Sequence, residues 1–537
     1  MKESPAPTRK ALASWRPDAL LALALMLIYA STYTTDYLMQ DELARVGVGE
    51  RDAMEVGFKT FLGQGRFIAG FGVASAFEFA GISPFRIRLL RWLCVLGFAL
   101  IAIAVRRVAR RSWNGDWRST TLVLLFFTQL PTQAAIGCGA VFLVAYLPAA
   151  ALSLLALGIV HWESTPRWLP PGARAAAALV VLLMAMQANQ SYAVFAVVPL
   201  LVPTLALWPA SKRRTLTFLG ACLAALILSG VAYKAAMGQS HISGYAVGEA
   251  AIGAITQQPF EVAKTAINPA TYWSAFRFWS FPFPLDRIAN LGSKERSAAL
   301  VVMGLWVLLI GSAVALEWSA AEPAARREVA FKWLAALACL GFGAFPIVAD
   351  SPFRDVEHRP HIPFVLVGVI LFMAAHALKV LAGMAPILAG AWGQGAALAL
   401  LAFFACGAQA GVERNIVTLN ADRLAFIRQS LTVDHPVKAI VVVLPQRNGC
   451  PHEPCNNWMG FLAPDKNHLR AMNGYRYALA TVHGGSDFSV PVVFLNPKKA
   501  ESAALPEGAA VVDWDRYVLT RARVYWARPD EHLSPYR

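Results

Sequence analysis

The sequence is short of charge. Asp, Glu, Lys and Arg make up 15% of its 537 residues, while 57% are hydrophobic. Soluble domains carry about a quarter charged residues, so an ordinary soluble enzyme of this size is excluded. A mean hydropathy of +0.48 and repeated apolar runs of about 20 residues indicate instead an all-α polytopic membrane protein. Acid is scarcer than base, 33 residues against 48, which leaves a net charge of +15. That excess does not imply a nucleic-acid partner, because the Arg and Lys fall in short loops between apolar runs, the positive-inside pattern. Neither a Gly-rich phosphate loop nor a nucleotide-binding βαβ signature is seen, so ATP and nucleotide-sugar chemistry are not expected. Ionisable residues inside the apolar runs are scarce. Lys234 and His376 lie near expected helix ends, where snorkelling accounts for them. No inverted halves of the transporter kind stand out.

The apolar runs number about eleven. The first, roughly 17–35, follows Lys2, Arg9, Lys10 and Arg16 as a signal peptide would. It is long and no A-x-A site ends it, so it reads as a retained anchor with a cytoplasmic N-terminus. The others are expected near 87–106, 119–135, 139–161, 174–188, 192–209, 215–236, 298–318, 331–349, 362–380 and 385–408. Connections such as "RRVARR" and "SKRR" fall on one side, and three acid-bearing loops, two of them long (about 36–86 and 237–297), fall on the other. The alternation divides the chain into a transmembrane domain, 1–409, and a soluble domain, 410–537, which an odd span count places outside the cytoplasm. The expected location is a bacterial inner membrane with that domain in the periplasm. It reads as α/β or α+β: "KAIVVVLP" and "PVVFLN" look like buried strands and "DRLAFIRQSL" like an amphipathic helix.

Five of the seven cysteines (Cys94, Cys138, Cys222, Cys339 and Cys406) lie in or beside apolar runs. Cys450 and Cys455 form "CPHEPC" in the tail, where a small disulfide loop is the natural reading outside the cytoplasm. A zinc site there would have His452 and Glu453 as its other local ligands, and is not favoured over the disulfide.

The acids cluster after the first run, in "STYTTDYLMQDELARV". Asp36, Asp41 and Glu42 stand within a few residues of an expected membrane surface. A solvated helix cap would explain them, with Asp41 and Arg45 four apart, although such a pair contributes only about 0.3–0.5 kcal/mol. The same loop continues into "GQGRFIAGF", where Arg66 opens an apolar stretch, about 67–82, too short to span. It reads as an interfacial or re-entrant helix. The second long loop is dense in aromatics, with Trp273 and Trp279 flanking Arg277; such residues either mark the interface or stack on sugars while the Arg holds phosphate. A third loop, "FRDVEHRPHIP", gathers Arg354, His358 and Arg359. "QANQSY" places Gln190 and Tyr192 between two runs, either to satisfy helix ends or to bond sugar hydroxyls.

The pattern "YLMQDELARV…GFKTFLGQGRFIAGF" resembles the GT-C class of membrane glycosyltransferases, and most of all the serotype-converting O-antigen glucosyltransferase family. The acidic pair after span one corresponds to Asp41–Glu42, an Asp-Glu where Asp-Asp is usual, and the "GR" that follows to Gly65–Arg66. The likeness covers the order of spans and loops over the first 400 or so residues and leaves the tail unmatched. It implies transfer of a sugar, glucose in that family, from a polyprenyl-phosphate-linked donor to a glycan or lipid-linked acceptor outside the cytoplasm. Asp41 would be the general base, with Glu42 assisting and Asp36 as rival. Arg66 or Arg359, with Arg354 and Arg277 nearby, would meet the phosphate. Gln190, Tyr192, Trp273, Trp279 and His358 would meet sugar or acceptor. Members differ in metal use; with Asp-Glu a metal-free, cofactor-free site is expected. The alternatives are another transferase of the same class, a polysaccharide polymerase or ligase, and a lipid-linked-sugar transporter.

Overall fold

The structure, a computed structural model, describes residues 9–38, 42, 66–112, 116–137, 139–161, 170–237, 260, 264, 268, 272, 293–350, 363–383, 390–443, 468–484, 489–495 and 504–514. These residues are overwhelmingly helical, with one small sheet near the C-terminus. In chain order the helices are α1 (Arg9–Ile28), α2 (Ala30–Thr34), α3 (Phe67–Ala80), α4 (Pro84–Ser112), α5 (Asp116–Phe127), α6 (Leu130–Gly137), α7 (Ala140–His161), α8 (Pro171–Ala188), α9 (Gln190–Ala193), α10 (Val197–Ala206), α11 (Trp208–Met237), α12 (Ser293–Ala320), α13 (Pro323–Asp350), α14 (Phe364–Ala382) and α15 (Ala391–Val412). Among the described residues, 8 helices are long and apolar enough to cross a membrane.

Where they are described, the expected runs fall on helix, but three of them, 17–35, 119–135 and 192–209, are broken into shorter pieces. A broken helix frees carbonyls that hydrocarbon cannot satisfy, so polar side chains must do it. Between α5 and α6, Thr128 Oγ1 and Gln129 Nε2 donate to the Leu125 carbonyl at 2.9 and 2.8 Å, and Gln133 Nε2 donates to that of Thr128 at 2.9 Å. At the break between α1 and α2, Thr32 donates to the Tyr29 carbonyl at 2.7 Å, and the Tyr29 hydroxyl reaches the Phe127 carbonyl at 2.7 Å. Two breaks are thus tied to each other. At the third, Asn189 caps α9 by accepting from the Tyr192 N–H at 3.2 Å, and Ser153 accepts from that of Ala196 at 3.0 Å. The buried rings of Phe126, Phe127, Tyr192, Phe195 and Phe364 pack together between these breaks, with centroids about 5–6 Å apart.

α15 does not end where the membrane part was expected to end. It passes through a π-helical segment, Glu413–Thr418, into α16 (Leu419–Leu431) without a break. Asn420 Nδ2 donates to the Ile416 carbonyl at 2.7 Å, satisfying one group of the widened turn. The boundary expected at 409/410 therefore lies inside a continuous helix. After it come β1 (Ala439–Val443), α17 (His468–His483), β2 (Val492–Leu495) and β3 (Ala509–Asp513). The strands form a parallel sheet in the order β2-β1-β3. β1, central and wholly buried, is an unbroken "AIVVV", the run a two-sided parallel strand requires. Two strands expected from sequence stand here, at β1 and β2; β3 and α17 carried no such reading.

The tail is not packed apart from the helices. One apolar core joins Leu38, Val73 and Phe77 to Leu424 and Ile427 of α16 and to Ile440, Val442, Tyr475 and Trp514. The first acid-bearing segment, α3 and the C-terminal sheet share that interior.

Candidate functional site

The acid-bearing segment is held by an arginine from the first third of an apolar helix. Arg91 of α4 and Glu42 are both fully buried and form an ion pair. Arg91 Nε donates to Glu42 Oε1 at 3.0 Å, and Nη2 donates to the Tyr37 carbonyl at 2.6 Å. The guanidinium lies 3.6 Å from the centroid of the Tyr37 ring, a cation–π contact. The Ala140 N–H also donates to Glu42 Oε1, at 3.3 Å, and the Tyr37 hydroxyl donates to the Gly137 carbonyl at 3.0 Å. Between those two residues the chain turns at Gly139, with φ +51, where a Cβ would stand 2.5 Å from Cγ of Arg91. The turn therefore needs glycine twice over, for its backbone and for the passage of Arg91. Charges removed from water persist only when paired and hydrogen-bonded, and this pair is.

Glu42 is thus engaged through both oxygens, an arrangement that suits anchoring rather than proton transfer. Its neighbour Asp41 lies outside the described residues.

Asp36 is held from the other direction. Its Oδ2 is 2.7 Å from Nη2 of Arg428 on α16. Arg428 in turn donates through Nε to Thr481 Oγ1 on α17 at 3.0 Å and lies 5.8 Å from the ring of Tyr477. The rival base therefore faces the C-terminal region, with one oxygen neutralised.

α3 is 14 residues long, about 21 Å of helix, short of the roughly 30 Å hydrocarbon layer. It buries Ala69, Gly70, Val73, Ala76, Phe77 and Ala80, a small-residue face that allows close packing; a Cβ on Gly72 would lie 3.1 Å from the Val144 carbonyl of α7. Phe67, Phe71 and Phe79 are exposed on its other side, the outward apolar stripe of an interfacial or re-entrant helix. Arg66 caps this helix, half-buried, its Nε without a hydrogen-bond partner among the described residues. Directly beyond it, Phe67 and Ile68 wall an apolar groove of about 720 Å³ with Met184 and Gln187 of α8 and Leu228 and Val231 of α11.

The remaining expected site residues divide in two. Gln190 is half-buried at the start of α9. Tyr192 is 1% exposed, stacked on Phe364 at 4.9 Å and edge-on to Tyr146 at 4.8 Å, so it lies inside the aromatic core. Arg277, Trp273, Trp279, Arg354, His358, Arg359, Cys450 and Cys455 lie outside the described residues, as does Asp41. Sequence reasoning missed Arg91, Arg428 and Tyr477. The first had a signal: an Arg inside an apolar run must find a partner. Among the described residues no group of three or more His, Cys, Asp or Glu side chains is placed to hold a metal ion. No family model matches the chain, and no characterised protein matches it significantly in sequence.

Proposed function

We propose that the protein is an inverting glycosyltransferase of the GT-C class, transferring a sugar such as glucose from a polyprenyl-phosphate donor to a cell-surface glycan such as O-antigen at the periplasmic face of a bacterial inner membrane. One observation carries the reading. An acid-bearing segment is pinned beside a short apolar helix, and that helix begins with Arg66 next to an apolar groove. A lipid-linked phosphate needs this combination: apolar walls for the chain and a cation where the chain meets its head group.

The chemistry follows from the parts. Asp41 takes the proton of the acceptor hydroxyl as its oxygen bonds to the anomeric carbon. The bond from that carbon to the phosphate oxygen breaks, and the electron pair leaves with the lipid phosphate. The transition state has oxocarbenium character, and the charge growing on the phosphate is met by Arg66, with Arg359, Arg354 and Arg277 as further cations. Glu42 and Asp36 hold the segment through Arg91 and Arg428.

The test is release of free polyprenyl phosphate by purified protein in lipid, given a panel of polyprenyl-phosphate sugars and cell-envelope glycan. Wild type is expected to release it. Asp41→Asn is expected to lose about 10²–10⁴-fold of the rate, the usual worth of a general base, with thermal unfolding unchanged. Release that survives in the variant moves the base elsewhere; no release from any donor overturns the reading.

A further inference from the structure

Three polar atoms near the acid-bearing segment are buried without a hydrogen-bond partner among the described residues: Asp36 Oδ1, Arg91 Nη1 and the Tyr477 hydroxyl. They come from three parts of the chain and lie within electrostatic reach of one another. Arg428 bridges Asp36 and the Tyr477 ring, and Arg91 holds the carbonyl of Tyr37, the residue after Asp36. The Tyr477 phenol is held well above its ordinary range, first by burial and then by the Asp36 charge, with Arg428, Arg91 and Glu42 also within electrostatic reach. It therefore stays protonated at neutral pH and can donate.

Leaving one buried polar atom unpaired is costly, and native proteins seldom leave several together without a use. Here one atom accepts, one donates and one does both. An isolated cation or anion would satisfy part of the set and repel the rest. Adjacent hydroxyls of a sugar, each a donor and an acceptor, match all three. We propose that Asp36, Arg91 and Tyr477 form a subsite for a sugar hydroxyl of the acceptor glycan, and that the C-terminal region, through Tyr477 and its Arg428–Thr481 support, is part of that subsite. This rests on the glycosyltransfer reading for its ligand but not for its geometry.

The experiment uses the full-length protein in lipid nanodiscs and, as probe, water-soluble polysaccharide released from the cell envelope by mild acid. Binding is measured by calorimetry without donor, and acceptor and donor KM are measured during transfer. Tyr477→Phe removes one oxygen and is expected to weaken polysaccharide binding, and raise acceptor KM, by about 3–10-fold, more than any change in donor KM. Asp36→Asn removes a charged acceptor and is expected to weaken both by about 10–100-fold. Limited proteolysis of the C-terminal region reports whether either variant has merely come apart. Variants that stay intact and bind polysaccharide as wild type does overturn the subsite and leave transfer standing. Wild type that releases no lipid phosphate, yet binds polysaccharide through Tyr477, overturns transfer and leaves the subsite standing. Wild type that does not bind polysaccharide overturns the subsite.

Discussion

The two ends of the helical bundle use carboxylates differently. At the end marked by Asp18 in α1, the start of α11 and α13 and the close of α4, α12 and α14, three acids tie helix to helix. Asp18 of α1 accepts from Arg106 at 2.7 Å and Arg107 at 3.0 Å, one oxygen each. Glu328 of α13 takes Lys212 at 2.7 Å on one oxygen and Trp208 at 2.9 Å on the other. Glu317 of α12 meets Lys332 at 2.6 Å, Trp333 at 2.7 Å and His376 at 3.3 Å. Every oxygen of these three carboxylates has a partner. At the other end Glu42 is equally saturated, but Asp36 has one oxygen paired and one buried without a described partner. Saturated carboxylates are fasteners. A half-satisfied one, beside other unsatisfied groups, is a place prepared for something else.

Burial should set what each fastener is worth. Glu42→Gln leaves Arg91 as a buried, poorly paired charge and is expected to cost about 3–5 kcal/mol. Glu328→Gln breaks a pair whose side chains are 36% and 43% exposed and is expected to cost far less, because solvent screens an exposed pair. Thermal unfolding of the two variants in one detergent checks the ranking; equal losses would remove the distinction between the ends. Glycine sharpens the same comparison at smaller scale. Gly139 and Gly81 have nearly the same φ, +51 and +50, but a Cβ at Gly139 would strike Arg91 while nothing lies within 4 Å of one at Gly81. Gly81, with ψ −126, lies outside even the left-handed helical region, and Gly81→Ala is expected to cost about 1–3 kcal/mol from the backbone alone. Gly139→Ala should exceed it by a further 1–3 kcal/mol or so for displacing the Arg91 side chain. Equal costs would mean that Arg91 yields freely.

Hydropathy made the helices legible because apolar length is a property of one contiguous stretch. It did not reveal that three of the runs are broken, since a window averages over the break. The polar residues at those points were in view: "QANQSY" reads as a pair of helix ends and Asn189 is indeed a cap, whereas Thr128 and Gln129 passed inside an apolar run. The tail showed its strands wherever β-branched residues ran together, as in "AIVVV", and hid β3, a short "AAVVD" with alternating burial. The candidate site was legible in its acids and in Arg66. It was illegible in their partners, because Glu42 and Arg91 are 49 residues apart and Arg428 reaches Asp36 from the far end of the chain. Spacing cannot reveal such pairs. The scarcity of charge inside the apolar runs was overstated for the same reason: Arg91 and Glu317 lie within them, each neutralised by a distant residue.

A last expected effect separates the tail from the bundle by pH. Tyr475 and Tyr477 of α17 are buried, and burial raises both phenols above their ordinary range; Tyr475 also accepts from Trp514 Nε1 at 2.6 Å. A raised folded pKa means that above the unfolded value, about 10, the unfolded chain releases protons that the folded chain keeps. Stability contributed this way is complete below pH 10 and declines as pH rises towards the folded values, by about 1.4 kcal/mol per pH unit for each phenol. Above pH 10 the C-terminal region should therefore loosen, with tyrosinate absorbance rising together with proteolysis of that region. Tyr475→Phe should make the decline with pH about half as steep by removing one of the two ionisations, at the separate and pH-independent cost of leaving the Trp514 N–H without its acceptor. If tyrosinate instead forms at pH 10 with the region still protease-resistant, these phenols are open to solvent, and the shared core between the tail and α3 is looser than the packing of Tyr475 and its hydrogen bond from Trp514 require.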